Sequence, residues 1–318
     1  MLACVLSFAA VFLAAPSARA AADYPTHSIT LVLAYPPGGG TDYVARLLAR
    51  ELDKTLGVNV VVENRPGGAS VIGTSVVARA APDGYTLLLA DPAYATNPSL
   101  MRHLPYDPRN LTPVATVTVS PLVLSVPASS SIKSLGELIA DGKQSRDGVT
   151  FASAGLGSSP HLAAELLKLR THANFVHVPY KGSGPAMTDL IGGRIDFAFA
   201  TLPAASQYIL KGQLRGLATT GAARSKLLPD LPTVSERIPD FRVNFWTALL
   251  APRGTPPDVL EKLNAAVKTA LQSPAMLNGL EQAGENPTYM TQADTAAFIA
   301  GESSKWAKVI AEGDIHVQ

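Results

Sequence analysis

Two stretches of the chain have the residue types and spacing to hold an anion. The first is Ala34-Tyr35-Pro36-Pro37-Gly38-Gly39-Gly40-Thr41-Asp42. It follows Ile29 to Leu33, an apolar run that reads as a strand buried on both faces. It precedes Tyr43 to Leu56, where Val44, Leu47, Leu48, Leu52 and Leu56 recur at helical spacing. In a strand, glycine turn and helix start of this kind, the N–H groups of Gly39, Gly40, Thr41 and Asp42 are free. They also lie at the positive end of the helix dipole. The second stretch, Ser153 to Pro160, repeats the design with Ala154-Gly155-Leu156-Gly157-Ser158-Ser159 as the turn. There Ser158 or Ser159 is the expected N-cap, and Pro160 stands at the first helical position.

The kind of anion is narrowed by what is missing. A phosphate-binding loop needs Gly-Lys-Ser/Thr, whereas Gly40 is followed by Thr41-Asp42; the last glycine of a dinucleotide fingerprint is absent too. Asp42 would repel a polyphosphate, so a small carboxylate suits the seat better. Taken alone, the first turn reads equally well as an anion seat or as a βα connection with no ligand. If the two turns face one gap, they suit a ligand with a carboxylate at each end, or a carboxylate and a polar tail. Thr41, Ser153, Ser158, Ser159 and Thr201 offer hydroxyls around it, and Tyr35, Tyr94 and Tyr180 offer rings.

Other chemistry is weaker. Asp42 and Asp91 as an acid/base pair, or Asp42 with Lys181, would make an α/β enzyme acting on a small carboxylic acid. Asp42 serves a helix N-terminus more readily, and Lys181 reads as a solvated charge. His161 and Glu165 are four apart on one helix face, which suits an ion pair better than a metal pair. His172 and His177 flank a strand and read as structural. No G-x-S-x-G, H-E-x-x-H or catalytic cysteine is present. Trp246 and Trp306 read as buried.

The elements that position these turns follow the α/β rhythm. Val58 to Val62 is expected as a second strand, Val71 to Ala80 as a helix and Tyr85 to Ala90 as a third strand, ending at Asp91-Pro92-Ala93-Tyr94. Ligands of parallel sheets bind beyond the carboxyl ends of strands, which is where both Tyr35–Asp42 and Asp91–Tyr94 fall. Asn97 to Pro113 is proline-rich and expected to be irregular. Val114 to Val126 is β-prone, broken by Pro121, and suited to crossing between domains. Ser134-Leu135-Gly136-Glu137 is a capping box. Strands are expected at Val149–Ser153, Phe175–Val178, Ile195–Ala200 and Leu214–Thr220, with Thr233 to Phe245 as a return crossing. Thr255-Pro256-Pro257-Asp258 is expected to cap a helix running to Leu271. The remainder reads as mostly helical, with a short strand near Thr288-Tyr289-Met290.

The chain has 318 residues, 47% of them hydrophobic and only 16% charged, which describes a globular protein of two ordinary domains. Its formal charge of +1 gives no electrostatic case for nucleic acid or anionic lipid. The single cysteine, Cys4, leaves no disulfide and no thiolate metal site. Leu2 to Ala15 is apolar and is followed by Ala18-Arg19-Ala20, so residues 1–22 read as a secretory signal peptide cleaved near Ala20 to Ala22. No basic residue precedes the apolar run; a start upstream of Met1 would supply one.

Tyr35 to Asp42 resembles the signature of the Bug (TctC-like) extracytoplasmic solute receptors of tripartite tricarboxylate transporters. The likeness continues through Glu63-Asn64-Arg65-Pro66-Gly67-Gly68, Pro82-Asp83-Gly84-Tyr85-Thr86 and Gly155-Leu156-Gly157-Ser158-Ser159-Pro160-His161-Leu162. It extends through His177 to Gly182, Leu228 to Thr233 and Leu250 to Pro256, in order over nearly the whole mature chain. The resemblance implies an α/β periplasmic binding protein of type II, a Venus flytrap whose lobes are mainly parallel sheets flanked by helices and joined by two crossings. The expected division is 23–121 with 246–318 for lobe 1 and 122–245 for lobe 2. It also implies that backbone N–H groups hold a ligand carboxylate, carried onto Tyr35, Pro37, Gly39, Gly40, Thr41 and Asp42, and onto Ser153, Gly155, Ser158 and Ser159. Ala93 and Thr201 follow as pocket-facing positions. The expected partners are a di- or tricarboxylate, an acidic amino acid or an aromatic acid, and the membrane subunits of a transporter. A monomer with no cofactor and no metal is expected.

Overall fold

The computed structural model describes residues 24–315, so the expected signal peptide lies outside the described residues. The first lobe is built on β1 (Ile29–Leu33), β2 (Val60–Asn64) and β3 (Thr86–Ala90), all parallel, in the order β2-β1-β3. Each is followed by a helix: α1 (Gly40–Leu56), α2 (Val71–Ala78) and α3 (Pro92–Leu100). The second lobe repeats this with β5 (Val149–Ser153), β6 (Phe175–Pro179) and β7 (Phe197–Thr201), in the order β6-β5-β7 and again parallel. Their helices are α5 (Ser159–Thr171), α6 (Ser183–Ile191) and α7 (Leu202–Leu210).

One strand joins the two halves. β4 (Leu111–Pro127) has 17 residues, nearly all buried, which is why its apolar pattern does not alternate. Up to Pro121 it pairs antiparallel with β9 (Asn244–Pro252), which in turn pairs with β3; β10 (Pro287–Met290) lies on its other side. From Leu122 onward it pairs with β7 and with β8 (Leu214–Thr219). Pro121, which the sequence suggests as a break, is where the strand passes from one set of partners to the other. β9 makes the return crossing, beginning opposite Pro121 at Asn244. The sequence expectation of Thr233 to Phe245 is therefore too long, because Phe241 and Val243 are already packed in the second lobe's core.

Each sheet carries apolar clusters on its faces. Leu31, Leu48, Leu52 and Leu263 mark one side of the first sheet, and Leu88, Tyr94 and Trp246 the other. Phe151, Leu167, Phe175 and Phe197 mark one cluster of the second lobe, and Met187, Leu190 and Ala198 the other. The chain ends in α8 (Pro257–Gln272), α9 (Pro274–Ala283) and α10 (Gln292–Glu312). Ile299 of α10 packs with Trp246 in lobe 1, while Trp306, Val309 and Ile310 pack with the second lobe's core.

Several local expectations shift for identifiable reasons. β2 begins two residues later than expected, since Gly57 closes α1 in the left-handed region and the Asp53 carboxylate holds Val60 N–H at the strand start. Of the stretch expected to be irregular, Asn97 to Leu100 is helical, the end of a helix that Asp91 caps, that has Pro92 in its first turn and that runs through Pro98. Thr255 does not cap α8; its hydroxyl turns back to Pro252 O at 2.8 Å and Pro256 takes the cap position. α4 (Leu135–Gln144) has half of its capping box. Ser134 Oγ accepts from Glu137 N at 3.2 Å, while the Glu137 carboxylate takes Lys133 N.

Candidate functional site

The carboxyl ends of the parallel strands carry every predicted site residue. Tyr35, Pro37, Gly39, Gly40, Thr41 and Asp42 follow β1, and Ala93 follows β3. Ser153 ends β5, Gly155, Ser158 and Ser159 follow it, and Thr201 ends β7. The two lobes meet at these ends. A methyl on Gly40 would lie 3.7 Å from Pro203 Cβ, in the first turn of α7. Gly284, after α9, comes as close to Leu202 of the same turn, where an added Cβ would lie 3.1 Å from the leucine Cβ.

The first turn is held from below. Asp42 is buried, and its carboxylate accepts from Gly38 N at 3.0 Å, Arg46 Nε at 2.9 Å and Asn64 Nδ2 at 2.9 Å. Asn64 Nδ2 also donates to Tyr35 O at 2.9 Å, closing the network on the start of the loop. Burial alone would raise the Asp42 carboxyl, but the hydrogen bonds from Arg46, Asn64 and Gly38 outweigh it and hold it at about 2. An ionised, fully occupied carboxylate shapes the loop. The acid/base pairing of Asp42 with Asp91 or Lys181 is not what the geometry forms. Asp42 closes on Arg46, Asp91 on Tyr35, and Lys181 is exposed. Arg46, four residues after Asp42, is a partner that helix spacing could have found; Asn64 needed the β1–β2 register.

Held this way, the loop presents backbone. Gly38 is at φ +90°, a conformation glycine adopts freely, and Gly39 caps α1 with no side-chain hydrogen bond. Tyr43 N is the first amide to bond within the helix, to Gly39 O at 3.0 Å. The N–H groups of Gly40, Thr41 and Asp42 are left at the helix start. Pro37, Gly39 and Gly40 are exposed and Thr41 is half-buried. The Tyr35 ring turns inward, donating its hydroxyl to Asp91 Oδ2 at 2.5 Å. Asp91 Oδ1 accepts from Ala93 N at 3.2 Å. Burial pushes the Asp91 carboxyl up to about 6. Tyr94, expected as a ring beside the ligand, is instead buried, with its hydroxyl on Pro108 O at 2.8 Å.

The second turn is built alike. Ser158 caps α5, but its hydroxyl donates to Gly155 O at 2.7 Å and so leaves the first amides of α5 uncapped. Ser159 is buried. Ser153 Oγ accepts from Gly155 N at 3.1 Å and lies 2.6 Å from His177 Nε2. Gly157 N donates to His161 Nδ1 at 3.0 Å. His161 Nε2 lies 3.8 Å from Glu165, whose carboxylate pairs with Lys168 at 3.7 Å; the ion pair is Lys168 with Glu165, and His161 is a neutral neighbour of it. α7 starts after Thr201, also with no side-chain cap. The Tyr180 hydroxyl donates to Asp189 at 2.8 Å, while its backbone N–H bonds Ser153 O at 3.1 Å.

The starts of α1 and α7 touch, and α5 begins at the end of β5, the strand beside β7. None of the three has a side-chain cap, and α7 was not among the two helix starts that the sequence singles out. Elsewhere Asp91, Ser134, Ser273 and Thr291 cap α3, α4, α9 and α10 with their own side chains, while α2, α6 and α8 also open without one.

Comparison with known proteins gives this geometry a family. Residues 44–315 match the family described as the tripartite tricarboxylate transporter family receptor. The protein BugT of Bordetella pertussis is 42% identical over 293 residues, covering 91% of this chain and 90% of BugT. Among solved structures, Rpa4515 of R. palustris with adipate has a TM-score of 0.85 at 35% identity, covering 92% of this chain and 99% of that one. MatC of Rhodopseudomonas palustris with bound malate has a TM-score of 0.81 at 32% identity, covering 90% of this chain and all of that one. Among the described residues, no helix is long and apolar enough to cross a membrane. The chain belongs to the Bug/TctC family of periplasmic solute receptors and has their two-lobed α/β binding-protein fold.

Proposed function

We propose that this chain is an extracytoplasmic receptor that takes a small organic acid anion between its lobes and closes on it without altering it. The observation that carries the reading is that α1, α5 and α7 all start at strand carboxyl ends with no side-chain cap, the α1 start touching the α7 start and α5 following β5, the neighbour of β7. An anion accepted there meets N–H donors and the positive ends of helix dipoles, with no arginine clamp needed. The related structures with adipate and malate support a carboxylate as that anion.

The residues proposed to touch the ligand are Tyr35, Pro37, Gly39, Gly40, Thr41, Asp42, Ala93, Ser153, Gly155, Ser158, Ser159 and Thr201. Most would act through backbone or hydroxyl groups, with Asp42 contributing its N–H. We propose 23–121 with 246–318 as lobe 1 and 122–245 as lobe 2, with the last turns of α10 packed across onto lobe 2. Closure brings the second lobe's amides onto an acid first held by lobe 1 and excludes water. The receptor acts as a monomer, is exported by residues 1–22, and hands its ligand to membrane subunits of a tripartite tricarboxylate transporter.

Gly39 gives a clean test. Its φ is −84°, which any residue adopts, and an added Cβ meets nothing within 4 Å. Gly39→Leu should therefore fold normally while filling the space over the free amides. Gly155 serves less well, being at φ +131° with Tyr180 O 3.3 Å from an added Cβ. Malate, adipate, citrate, glutamate and an aromatic acid are screened by thermal shift and calorimetry. The wild type should bind at least one and return it unaltered, and Gly39→Leu should bind it about a hundredfold or more weaker at unchanged melting temperature. Undiminished affinity in the variant, or consumption of the acid, would overturn the reading.

A further inference from the structure

Behind the second turn lies a pair of imidazoles. His161, in the first turn of α5, is 3% exposed, and His177 on β6 is half-buried. Their rings stack with centroids 4.0 Å apart and planes 20° apart, and Phe151 stacks on His177 at 4.8 Å. Both rings reach the turn. Gly157 N donates to His161 Nδ1, and His177 Nε2 meets the Ser153 hydroxyl, which itself accepts from Gly155 N. Gly155 and Gly157 sit at φ +131° and +75°, conformations that glycine adopts freely, and the Ser153 and Ser158 hydroxyls brace the turn at Gly155 but not at Gly157.

We infer that His161, braced by His177, is a positioning residue for the ligand cleft: its neutral ring fixes Gly157 so that the uncapped amides of α5 stay aimed at the anion. This rests on the receptor reading given above. A ring nitrogen that accepts a backbone N–H carries no proton, so the His161 proton is on Nε2, the side facing Glu165 at 3.8 Å. The charged groups around the pair are Glu165 and Lys168 of α5, whose side chains lie 3.7 Å apart. From α10, which also packs in this core, Glu302 is occupied by Lys305 and Trp306 Nε1; beyond the turn stands exposed Lys181. Burial, the neighbouring ring and Lys168 together press the His161 imidazole down to about 3, and burial with Lys168 presses His177 to about 4. Both rings are neutral at neutral pH. Protonating His161 would remove the acceptor for Gly157 N and set two like charges face to face.

The test compares two substitutions. His161→Asn places an amide oxygen near the Nδ1 position and does not titrate; His161→Leu keeps bulk and has no acceptor. Amide exchange at Gly157 is read by NMR without ligand, and affinity is read by calorimetry with malate and adipate as probes. His161→Leu should exchange Gly157 about tenfold or more faster and bind about tenfold or more weaker, the cost of an orphaned amide. His161→Asn should stay within about threefold of wild type in both. As pH falls from about 5 to about 3, where the His161 ring begins to take up its proton, this variant should also lose less affinity than wild type. Comparing variants at each pH removes the ligand's own titration. If His161→Leu does not fold, His161→Gln, whose longer arm carries the acceptor past Gly157, takes its place. Equal Gly157 exchange in wild type and His161→Leu would overturn the inference, as would equal binding, or an Asn variant as weak as the Leu variant. If the wild type binds neither probe nor any acid of the panel, the receptor reading fails and with it the claim on affinity; the exchange comparison still decides whether His161 holds the turn.

Discussion

At Asp91 the chain buries a carboxylate whose side-chain partners are the Tyr35 hydroxyl and its own helix start. Burial raises this group from 3.8 to about 6, so the folded state binds its proton more readily than the unfolded chain does. Its contribution to stability is therefore present at low pH and is lost as pH rises through about 6. Asp42, held at about 2, acts in the opposite sense, contributing above 3.8 and failing as pH falls toward about 2. The imidazole pair also opposes Asp91, because depressed histidines cost stability as pH falls below 6.5 toward about 3. Subtracting a variant from wild type isolates one group. Asp91→Asn should melt higher than wild type near about pH 8 and show no advantage near about pH 4, read by thermal denaturation at each pH. No advantage near pH 8 would mean that Asp91 is not held against its charge. Of these residues, Asp42 was placed at a helix N-terminus and Asp91 at a strand end; the spacing of Arg46 from Asp42 and the Asp91-Pro92 cap were local signals that went unused. Tyr35 with Asp91, 56 positions apart, and His161 with His177 needed strand neighbours that no local pattern displays.

Among the elements, the two crossings are clipped to each other by a side chain. Thr220, just past β8 and fully buried, accepts from Leu122 N at 2.8 Å and donates to Val243 O. Its own N–H bonds Leu122 O at 2.9 Å. One hydroxyl thus ties β4 just past Pro121 to the chain just before β9. Ser120, on the other side of Pro121, donates to Glu285 at 2.5 Å and accepts from Asn286 N at 2.9 Å. Thr220→Val keeps the shape but leaves Leu122 N–H and Val243 C=O unpaired in a buried place. It should cost about 1–3 kcal/mol in denaturant unfolding. A cost near zero would mean that backbone pairing alone holds the crossing. Most of the strand–helix alternation was readable, since apolar runs and small-residue turns are local signals, but α3 and α7 were not. α3 was missed because Pro98 reads as a breaker, yet capping by Asp91 and burial of Tyr94, Ala95 and Leu100 sustain the helix around it. The handover of β4 at Pro121 could be guessed, but its partners could not, because β9 lies more than a hundred residues away.

Over the whole molecule, each lobe brings the carboxyl ends of three parallel strands to the same gap, and the lobes already touch there through α7. The proposed anion seat is thus a property of the assembled pair, since it draws on helix starts from both lobes, and the shared β4 joins the two sheets. Identity with BugT and the likeness to the adipate- and malate-bound structures extend over about nine-tenths of the chain, so the correspondence covers both lobes. The most direct measurement is a crystal structure of this chain with the acid that raises its melting temperature most. A ligand carboxylate should lie about 2.7–3.2 Å from backbone nitrogens among Gly39 to Asp42, with α5 or α7 amides closing from the other lobe. An acid held instead by charged side chains, or lodged in the open groove between Pro98 and Arg109, would contradict the account.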